Sequence, residues 1–181
     1  GTPGSKVEIT YKRQGKINKT ILTREAIEVN AVPFYKLIDT DIGYIVLSKF
    51  NNKTTVQTKA ALNALKEQGA KKIILDLRGN PGGLLNEAID VVNLFVQKGE
   101  VITTTKSVIQ KYNQTYKTSK DPVDSKIPLV VLVNGRSASA SEIVSGGLQD
   151  LDRAVIIGAR SFGKGLVQRP KKLTYGTQLK V

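Results

Sequence analysis

Two residue types that carry much of enzyme chemistry are missing from this chain, because its 181 residues include no cysteine and no histidine. Without cysteine, disulfide bonds and thiolate chemistry are excluded. Without histidine, the Ser-His-Asp triad and almost all zinc sites are excluded as well. Any serine nucleophile in this sequence would have to take its general base from a lysine or a carboxylate. No metal or other cofactor is expected.

The chain also lacks methionine, and it has no apolar run near the ~18–20 residues that a membrane-spanning helix needs. Its first ten residues, GTPGSKVEIT, lack the apolar core of a secretory signal. We therefore expect a chain with no transmembrane segment that comes from a longer or processed parent, whose signal segment lies outside it.

Acidic residues are scarce relative to basic ones: 15 Asp and Glu against 28 Lys and Arg give a formal net charge of +13. Clustered basic residues can bind nucleic acid by releasing counterions from phosphates. Here the lysines are scattered, and no aromatic-basic signature of RNA-binding proteins is present. We expect a solvated basic surface and no nucleic-acid binding, with an anionic membrane surface or an acidic partner left open as alternatives.

Apolar strand patterns alternate with helical patterns along most of the chain, which predicts an α/β core with parallel strands. The predicted elements are a hairpin at 6–12 and 17–22, strands within 26–50, a helix from Asn51 or Asn52 to Gly69, a buried strand at 71–77, a helix at 84–97, a strand at 127–133, a helix ending near Asp150, and a strand at 154–158. Four residues of the first helix are expected to share its buried face: Val56, Ala60, Leu62 and Leu65.

A glycine pair, Gly82 and Gly83, stands between the strand at 71–77 and the following helix. Without Cβ atoms, glycines let backbone N–H groups face outward at a helix N-terminus, which suits an anion or a developing oxyanion. The pair alone is also compatible with a plain strand-to-helix turn.

The run SASASE, residues 137–142, follows the apolar strand at 127–133 and leads into a helix. Serine is a preferred N-cap, so Ser139 or Ser141 could simply cap that helix, with Glu142 in its first turn. A serine at a strand-to-helix turn is also where some hydrolases expose a nucleophile, because the next backbone N–H can help to hold the oxyanion. The run by itself leaves both interpretations open.

Lys164 lies between two glycines in SFGKGLVQ, residues 161–168. If a strand begins there, Lys164 and Gln168 are four residues apart and point to the same face. A lysine that acts as a general base must be neutral, and lowering an amine pKa from ~10.4 to about 7 corresponds to roughly 4–5 kcal/mol. Burial against apolar neighbours can supply that amount.

Three stretches, in this order, resemble the C-terminal processing peptidases, also called tail-specific proteases, a family of serine peptidases. They are IILDLRGNPGGLL (73–85), LVVLVNGRSASASEIVSGGLQD (129–150) and AVIIGARSFGKGLVQ (154–168). The opening GTPGSKVEITYKRQG is similar to the closing strands of the PDZ domain that precedes this family's catalytic core. The resemblance therefore covers nearly the whole chain.

The resemblance implies a site in which Ser139 is the nucleophile and Lys164, 25 residues later, is the general base. Gln168 is implied to orient the lysine, and the backbone N–H groups of Gly83 and Ala140 are implied to form the oxyanion hole. Arg136 adds a charge beside the serine turn for which the resemblance offers no role.

The resemblance further implies a crotonase-like or ClpP-like α/β spiral, with residues 1–24 as the end of a PDZ domain and 25–181 as a catalytic core truncated at its C-terminal end. The implied activity is cleavage of proteins near their C-termini through an acyl-enzyme. The implied substrates are proteins or peptides with apolar C-terminal tails, and the implied location is the bacterial cell envelope or periplasm, outside the cytoplasm.

Two other functions remain open on the same fold. The chain could be a non-catalytic peptide-binding module in which the serines act only as helix caps. It could also carry out crotonase-type acyl-thioester chemistry, which uses glycine N–H groups for an oxyanion but needs no serine-lysine pair.

Overall fold

The computed structural model describes residues 1–168 and 170–180. Its strands, in chain order, are β1 (Lys6–Arg13), β2 (Lys16–Thr23), β3 (Phe34–Leu37), β4 (Ile42–Val46), β5 (Lys72–Asp76), β6 (Val101–Thr105), β7 (Gln114–Lys117), β8 (Leu129–Val133), β9 (Val155–Gly158), β10 (Pro170–Lys172) and β11 (Gln178–Lys180). Its helices are α1 (Thr54–Glu67), α2 (Leu85–Asn93) and α3 (Ala140–Asp150), and single 3-10 turns lie at Gln110–Tyr112 and Thr174–Gly176.

A five-stranded sheet with the order β3-β4-β5-β8-β9 forms the centre of the fold. Strands β4, β5, β8 and β9 are parallel, and β3 pairs with β4 in the antiparallel direction at one edge. The predicted α/β core with parallel strands is thus confirmed. Three antiparallel hairpins, β1-β2, β6-β7 and β10-β11, form separate two-stranded sheets.

Continuous apolar sequence explains why β5 and β8 occupy the middle of the sheet. Their sequences, KIILD and LVVLV, lack the polar alternation of a strand with one wet face. Ile73, Leu75 and Val131 are almost completely buried. The three helices add further side chains to the same core, among them Leu62, Leu65, Val91, Val144 and Leu148.

Helix α1 buries a different face from the one predicted. Val56 is 72% exposed and Ala60 is also exposed, whereas Leu62 and Leu65 are buried as predicted. The rest of the buried face consists of Thr54, Thr58 and Ala61. The two threonines can be buried because their hydroxyls are satisfied: Thr58 Oγ1 donates to the Thr54 carbonyl at 2.8 Å, and Thr54 Oγ1 to the Lys49 carbonyl at 3.1 Å.

The β1-β2 hairpin has the two-residue turn that its sequence predicts. Gln14 (φ 50°) and Gly15 (φ 79°) both have positive φ, as a type I′ turn requires. The division of the chain at residue 24 into a PDZ remnant and a catalytic core stays a prediction.

The topology places several loops at one edge of the sheet. Because β4, β5, β8 and β9 are parallel, their carboxyl ends meet at that edge, where parallel sheets commonly hold their sites. The loops at 77–84, 134–139 and 159–168 leave from the ends of β5, β8 and β9 respectively. Within the two ranges that the structure describes, no helix is both long enough and apolar enough to cross a membrane.

The revised face of α1 leads to a paired stability prediction. Leu62→Ala should lower the free energy of unfolding by about 2–5 kcal/mol, since it removes buried methyl groups and leaves a cavity. Val56→Ala on the same helix should change it by less than about 0.5 kcal/mol. Urea denaturation of the two variants measures both values, and equal losses would contradict the assigned face.

Candidate active site

Ser139 occupies a strained turn between strand β8 and helix α3. Its φ of 57° and ψ of −112° are unusual for a residue with a side chain, and such a conformation costs on the order of 1–3 kcal/mol. Ser139 is half-buried and stands at the N-cap position of α3. A serine on a sharp strand-to-helix turn is the arrangement that exposes nucleophiles in α/β-hydrolases.

Gly82 packs against this turn, and Gly83 packs against Phe50, so closely that neither position has room for a side chain. A Cβ on Gly82 would lie 2.6 Å from the Ala138 carbonyl oxygen and 2.9 Å from the Ser139 Cβ. A Cβ on Gly83 would lie 2.0 Å from the Phe50 carbonyl oxygen. Both glycines also have positive φ, at 94° and 154°. The glycine pair is therefore required by contact with the serine turn and with Phe50, in addition to the turn geometry.

The buried amide of Asn80 holds the loop at 77–84, here called the glycine loop, against the neighbouring segments. Its side-chain oxygen accepts from the Gly82 N–H at 2.9 Å, and its side-chain nitrogen donates to the Leu47 carbonyl at 2.8 Å. Its backbone carbonyl accepts from the Ala138 N–H at 3.1 Å and from the Ser141 hydroxyl at 3.0 Å. Since Asn80 is completely buried, these bonds are shielded from water and hold the loop and the serine turn together.

Two backbone N–H groups, that of Ala140 directly after Ser139 and that of Gly83 directly after the Gly82 contact, have no acceptor among the described residues. Within residues 1–168 and 170–180, no hydrogen bond is made by the N–H of Gly83 or by that of Ala140. Gly83 is exposed and forms an isolated parallel β-bridge with Phe50. The hydrogen bonds of this bridge use the residues on either side of Gly83: the Phe50 N–H donates to the Gly82 carbonyl, and the Leu84 N–H donates to the Phe50 carbonyl. Unpaired donors beside a nucleophile have the chemistry needed to bind a developing oxyanion.

The loop carrying Lys164 is tied to the serine turn by one carboxylate, that of Glu142. Its Oε2 accepts from the Ser139 N–H at 2.7 Å and from the Lys164 N–H at 2.8 Å. Its Oε1 accepts from the Ser161 hydroxyl at 2.8 Å and from the Gly163 N–H at 2.6 Å. The backbones of Ser139 and Lys164 are therefore joined through a single oxygen atom.

These four hydrogen bonds determine the charge state of Glu142. Partial burial alone would raise the pKa of its carboxyl group. The hydrogen bonds from the Ser161 hydroxyl and from the N–H groups of Gly163, Ser139 and Lys164 outweigh burial, so the pKa lies below its ordinary value. Glu142 is consequently ionised at neutral pH, as the four donors require.

A second ionic cluster fixes the start of the glycine loop. Asp76, at the end of β5, is buried and accepts from Arg78 Nε at 3.0 Å, from Arg78 Nη2 at 2.7 Å and from the Tyr44 hydroxyl at 2.5 Å. Burial alone would raise the pKa of Asp76, but the bonds from Arg78 and Tyr44 lower it overall. The buried carboxylate is thus paired, as its low exposure demands.

Among the described residues, the side chains of the two other predicted site residues, Lys164 and Gln168, make no hydrogen bond to the serine turn. The Lys164 side chain is half-buried, and in the part of the chain that the structure describes no carboxylate pairs with its Nζ. Gln168 is exposed and makes no hydrogen bond with any described residue. The structure joins the backbones of Ser139 and Lys164 through Glu142 and places Gly82, the neighbour of Gly83, against the serine turn. It leaves Gln168 outside this group.

The predicted strand from Lys164 to Gln168 is wrong, because residues 161–168 have no regular structure. The N–H groups of Gly163 and Lys164 donate to the Glu142 carboxylate, so they are not available for a strand ladder. Gly163 also has a φ of 87°, which takes the chain out of the extended conformation.

A sequence profile of peptidase family S41 matches residues 41–181. The chain belongs to this family. Its N-terminal hairpin lies outside the matched range, which contains Ser139, Lys164 and the loops around them.

Known S41 proteins agree with this assignment in sequence and in fold. A probable CtpA-like serine protease of Staphylococcus saprophyticus is 36% identical over 185 residues, which is 99% of this chain and 36% of the relative. Its counterpart in Staphylococcus aureus has the same identity and coverage. The solved photosystem II D1 C-terminal processing protease has a TM-score of 0.72 and 31% identity, covering all of this chain and 50% of that one.

A putative S41 protease of Bacteroides fragilis shows the same fold, with a TM-score of 0.73 at 15% identity over 98% of this chain and 54% of that one. The expected relationship to the C-terminal processing peptidases, and the mixed α/β fold, are thereby confirmed. The chain spans about a third of the length of the curated S41 relatives that it matches.

Sequence reasoning missed two residues that organise this S41 site, Glu142 and Asn80. The spacing Ser139-x-x-Glu142 was a visible signal, since S-x-x-E marks a helix capping box. The Glu142 carboxylate accepts a hydrogen bond from the Ser139 N–H, as in a capping box. It also accepts one from the Lys164 N–H in the loop that carries the lysine. Asn80 gave no signal beyond its place in a turn-rich motif, because its partners come from three distant segments.

Glu142→Gln should loosen the S41 lysine loop specifically. The amide nitrogen would face two N–H or O–H donors instead of accepting from them, at an expected cost of about 1.5–3 kcal/mol. Hydrogen exchange at the Gly163 and Lys164 amides should accelerate about tenfold or more, while exchange in β5 changes less. Glu67→Gln, at an exposed carboxylate, is the matched control. Unchanged exchange at both amides would contradict the bridging role.

The lowered pKa of Glu142 predicts a matching dependence on pH. A carboxyl group with a lower pKa in the folded state stabilises that state above its unfolded pKa of about 4.3, and the contribution is lost as pH falls through the folded value. Protection of the Gly163 and Lys164 amides should therefore be constant from pH 7 to 5 and should fall in more acidic solution. In Glu142→Gln this acid-dependent loss should be absent, and its persistence there would assign it to another group.

Proposed function

We propose that this chain contains the catalytic residues of a serine endopeptidase that cleaves proteins near their C-termini, with Ser139 as nucleophile and Lys164 as general base. Lys164 takes the proton from the Ser139 hydroxyl, whose oxygen attacks the scissile carbonyl carbon. The resulting oxyanion is held by the N–H groups of Gly83 and Ala140. Lys164 then gives its proton to the leaving amine, which leaves an acyl-enzyme on Ser139.

Water completes the reaction in this proposal. Lys164, neutral again, removes a proton from a water molecule that attacks the acyl-enzyme carbonyl. The second tetrahedral intermediate collapses, and the serine oxygen recovers its proton as the new carboxylate product leaves. No cofactor takes part, because the lysine supplies both proton transfers.

The observation that carries the proposal is the Glu142 bridge between the serine turn and the lysine loop. One carboxylate oxygen binds the N–H of both proposed catalytic residues, and the N–H groups of Ala140 and Gly83 are unpaired among the described residues. A helix cap alone would explain the bond to Ser139, but it gives no reason for the bonds to Gly163 and Lys164. We assign Gln168 the role of orienting the lysine, which requires its exposed segment to move toward Lys164.

The expected substrates are proteins or peptides with apolar C-terminal tails. Apolar side chains are exposed on the loop beside the site: Phe162 by 67%, Leu166 by 77% and Val167 by 48%. Such residues could bind apolar peptide, since exposed apolar clusters often mark binding surfaces. We further propose that the full-length protein acts outside the cytoplasm, in the cell envelope, and that residues 1–24 belong to a peptide-capturing PDZ domain.

A fluorophosphonate probe tests the nucleophile directly in the full-length protein. The probe should label Ser139, and Ser139→Ala should abolish both labelling and cleavage of a protein with an apolar tail. Lys164→Ala should reduce turnover by at least about 100-fold, in line with the loss of a general base. Ser119→Ala, at an exposed serine outside the site, should leave both unchanged.

The same experiment separates the peptidase from a peptide-binding module. Tail peptides that bind without being cut, together with no labelling of Ser139 in the full-length protein, would overturn the proposal. Undiminished turnover in Ser139→Ala would overturn the choice of nucleophile.

A further inference from the structure

Two segments that flank the proposed catalytic residues run side by side. The Phe162 N–H donates to the Ser137 carbonyl at 3.0 Å, and the Ala159 N–H donates to the Val133 carbonyl at 3.2 Å. A Cβ on Gly135 would lie 3.8 Å from the Arg160 carbonyl oxygen. The segments 133–137 and 159–162 are therefore neighbours, and each carries one arginine, Arg136 and Arg160.

Chain geometry keeps both arginines near the site. Arg136 is three residues before Ser139, so even an extended chain separates their Cα atoms by at most about 11 Å. Arg160 is four residues before Lys164, which limits that separation to about 14 Å. Both side chains are exposed.

Neither arginine is neutralised within the part of the chain that the structure describes. No ion pair and no side-chain hydrogen bond there involves the guanidinium group of Arg136 or Arg160. The nearby Glu142 carboxylate is already occupied by four donors. From Arg153 to the end of the chain, the sequence contains several lysines and arginines and no aspartate or glutamate.

Some exposed basic residues elsewhere in the chain have acidic partners. Lys19 pairs with Glu8 at 2.9 Å, and Lys53 pairs with Glu28 at 2.6 Å. Arg136 and Arg160 differ from these lysines, because neither has an acidic partner among the described residues.

We propose that Arg136 and Arg160 form a carboxylate-binding rim that favours substrates with an acidic side chain, or the free C-terminal carboxylate, close to the scissile bond. This inference rests on the proposed function and adds a substrate preference to it. The planar guanidinium group presents paired N–H donors that match a carboxylate, so an unpaired arginine suits this ligand better than a lysine would. The rim contacts substrate and takes no part in the proton transfers.

The preference should be modest and sensitive to salt. An exposed ion pair contributes little, which corresponds to roughly a two- to fivefold gain in kcat/KM for each arginine. The screening length is about 10 Å at 0.1 M salt and about 3 Å at 1 M salt. The gain should therefore largely disappear at 1 M salt, whereas a preference based on apolar contacts would remain.

Matched peptides test the rim in the full-length protein. One apolar-tailed peptide is compared with versions that carry Asp or Asn at each position flanking the cleavage site, and with versions ending in a carboxylate or an amide. The Asp and Asn pairs report on an acidic side chain, and the last pair reports on the chain terminus. The protein variants are Arg136→Gln, Arg160→Gln and the double variant, with Lys98→Gln, at an exposed lysine between α2 and β6, as a control of equal charge change.

The expected result is a preference for the carboxylate-bearing member of at least one pair, expressed mainly in KM. The double variant should lose this preference and cleave both members of each pair alike, while Lys98→Gln should keep the preference. Equal values for all pairs, or a preference that survives in the double variant, would overturn the rim.

A binding measurement keeps the two proposals separate. The same peptides are titrated against full-length Ser139→Ala, which needs no catalysis, and the carboxylate preference should appear there as tighter binding. Failure to cleave any peptide would count against the peptidase alone. Equal binding of every pair would count against the rim alone.

Discussion

The hydrogen bonds to the Glu142 carboxylate are the interaction on which the rest of the site depends. A buried strand and a helix can place Ser139, but the loop carrying Lys164 has no regular structure to position it. Four donors converge on the carboxylate, two from the segment 161–163 and one each from Ser139 and Lys164. Bonds to a charged acceptor are about twice as strong as neutral ones. This ionised side chain therefore holds the lysine loop against the serine turn, together with the backbone hydrogen bond from the Phe162 N–H to the Ser137 carbonyl.

This bridge works because the parallel sheet has already brought the participating loops to one edge. The ends of β5, β8 and β9 are adjacent, so the glycine loop, the serine turn and the lysine loop leave the sheet side by side. Asn80 joins the glycine loop to the serine turn in the protein interior, and the absence of a Cβ at Gly82 lets the backbones of these two segments touch. The strained conformation of Ser139 is held between these contacts. Two side chains, the buried amide of Asn80 and the ionised carboxylate of Glu142, thus fix the backbone groups that form the site.

Much of the fold followed from the sequence because its signals are local. The apolar runs of β5 and β8 predict buried strands, and Gln14-Gly15 predicts a hairpin turn. All three predictions are correct. The buried face of α1 was predicted wrongly because it includes two polar residues, Thr54 and Thr58. Both can be buried because their hydroxyls donate to backbone carbonyls, that of Thr54 to Lys49 before the helix and that of Thr58 to Thr54. The strand expected after Lys164 fails for a non-local reason, since its N–H groups bind a carboxylate 21 and 22 residues away in the chain. In the candidate site, the serine run, the glycine pair and the lysine between two glycines were visible as sequence motifs. The roles of Glu142 and Asn80 could not be predicted in this way, because they depend on contacts between distant segments of the chain.

The central proposal is that the Glu142 bridge brings Ser139 together with Lys164 and with the unpaired N–H groups of Gly83 and Ala140. It is tested most directly by a crystal structure of the full-length protein with a peptide boronate, which mimics the tetrahedral intermediate. The account predicts a bond from boron to Ser139 Oγ, one boronate oxygen within about 3 Å of the Gly83 and Ala140 nitrogens, and Lys164 Nζ within about 3.2 Å of Ser139 Oγ. A boronate bound to another residue, or one bound to Ser139 with its oxygens away from both N–H groups and Lys164 directed into solvent, would contradict it.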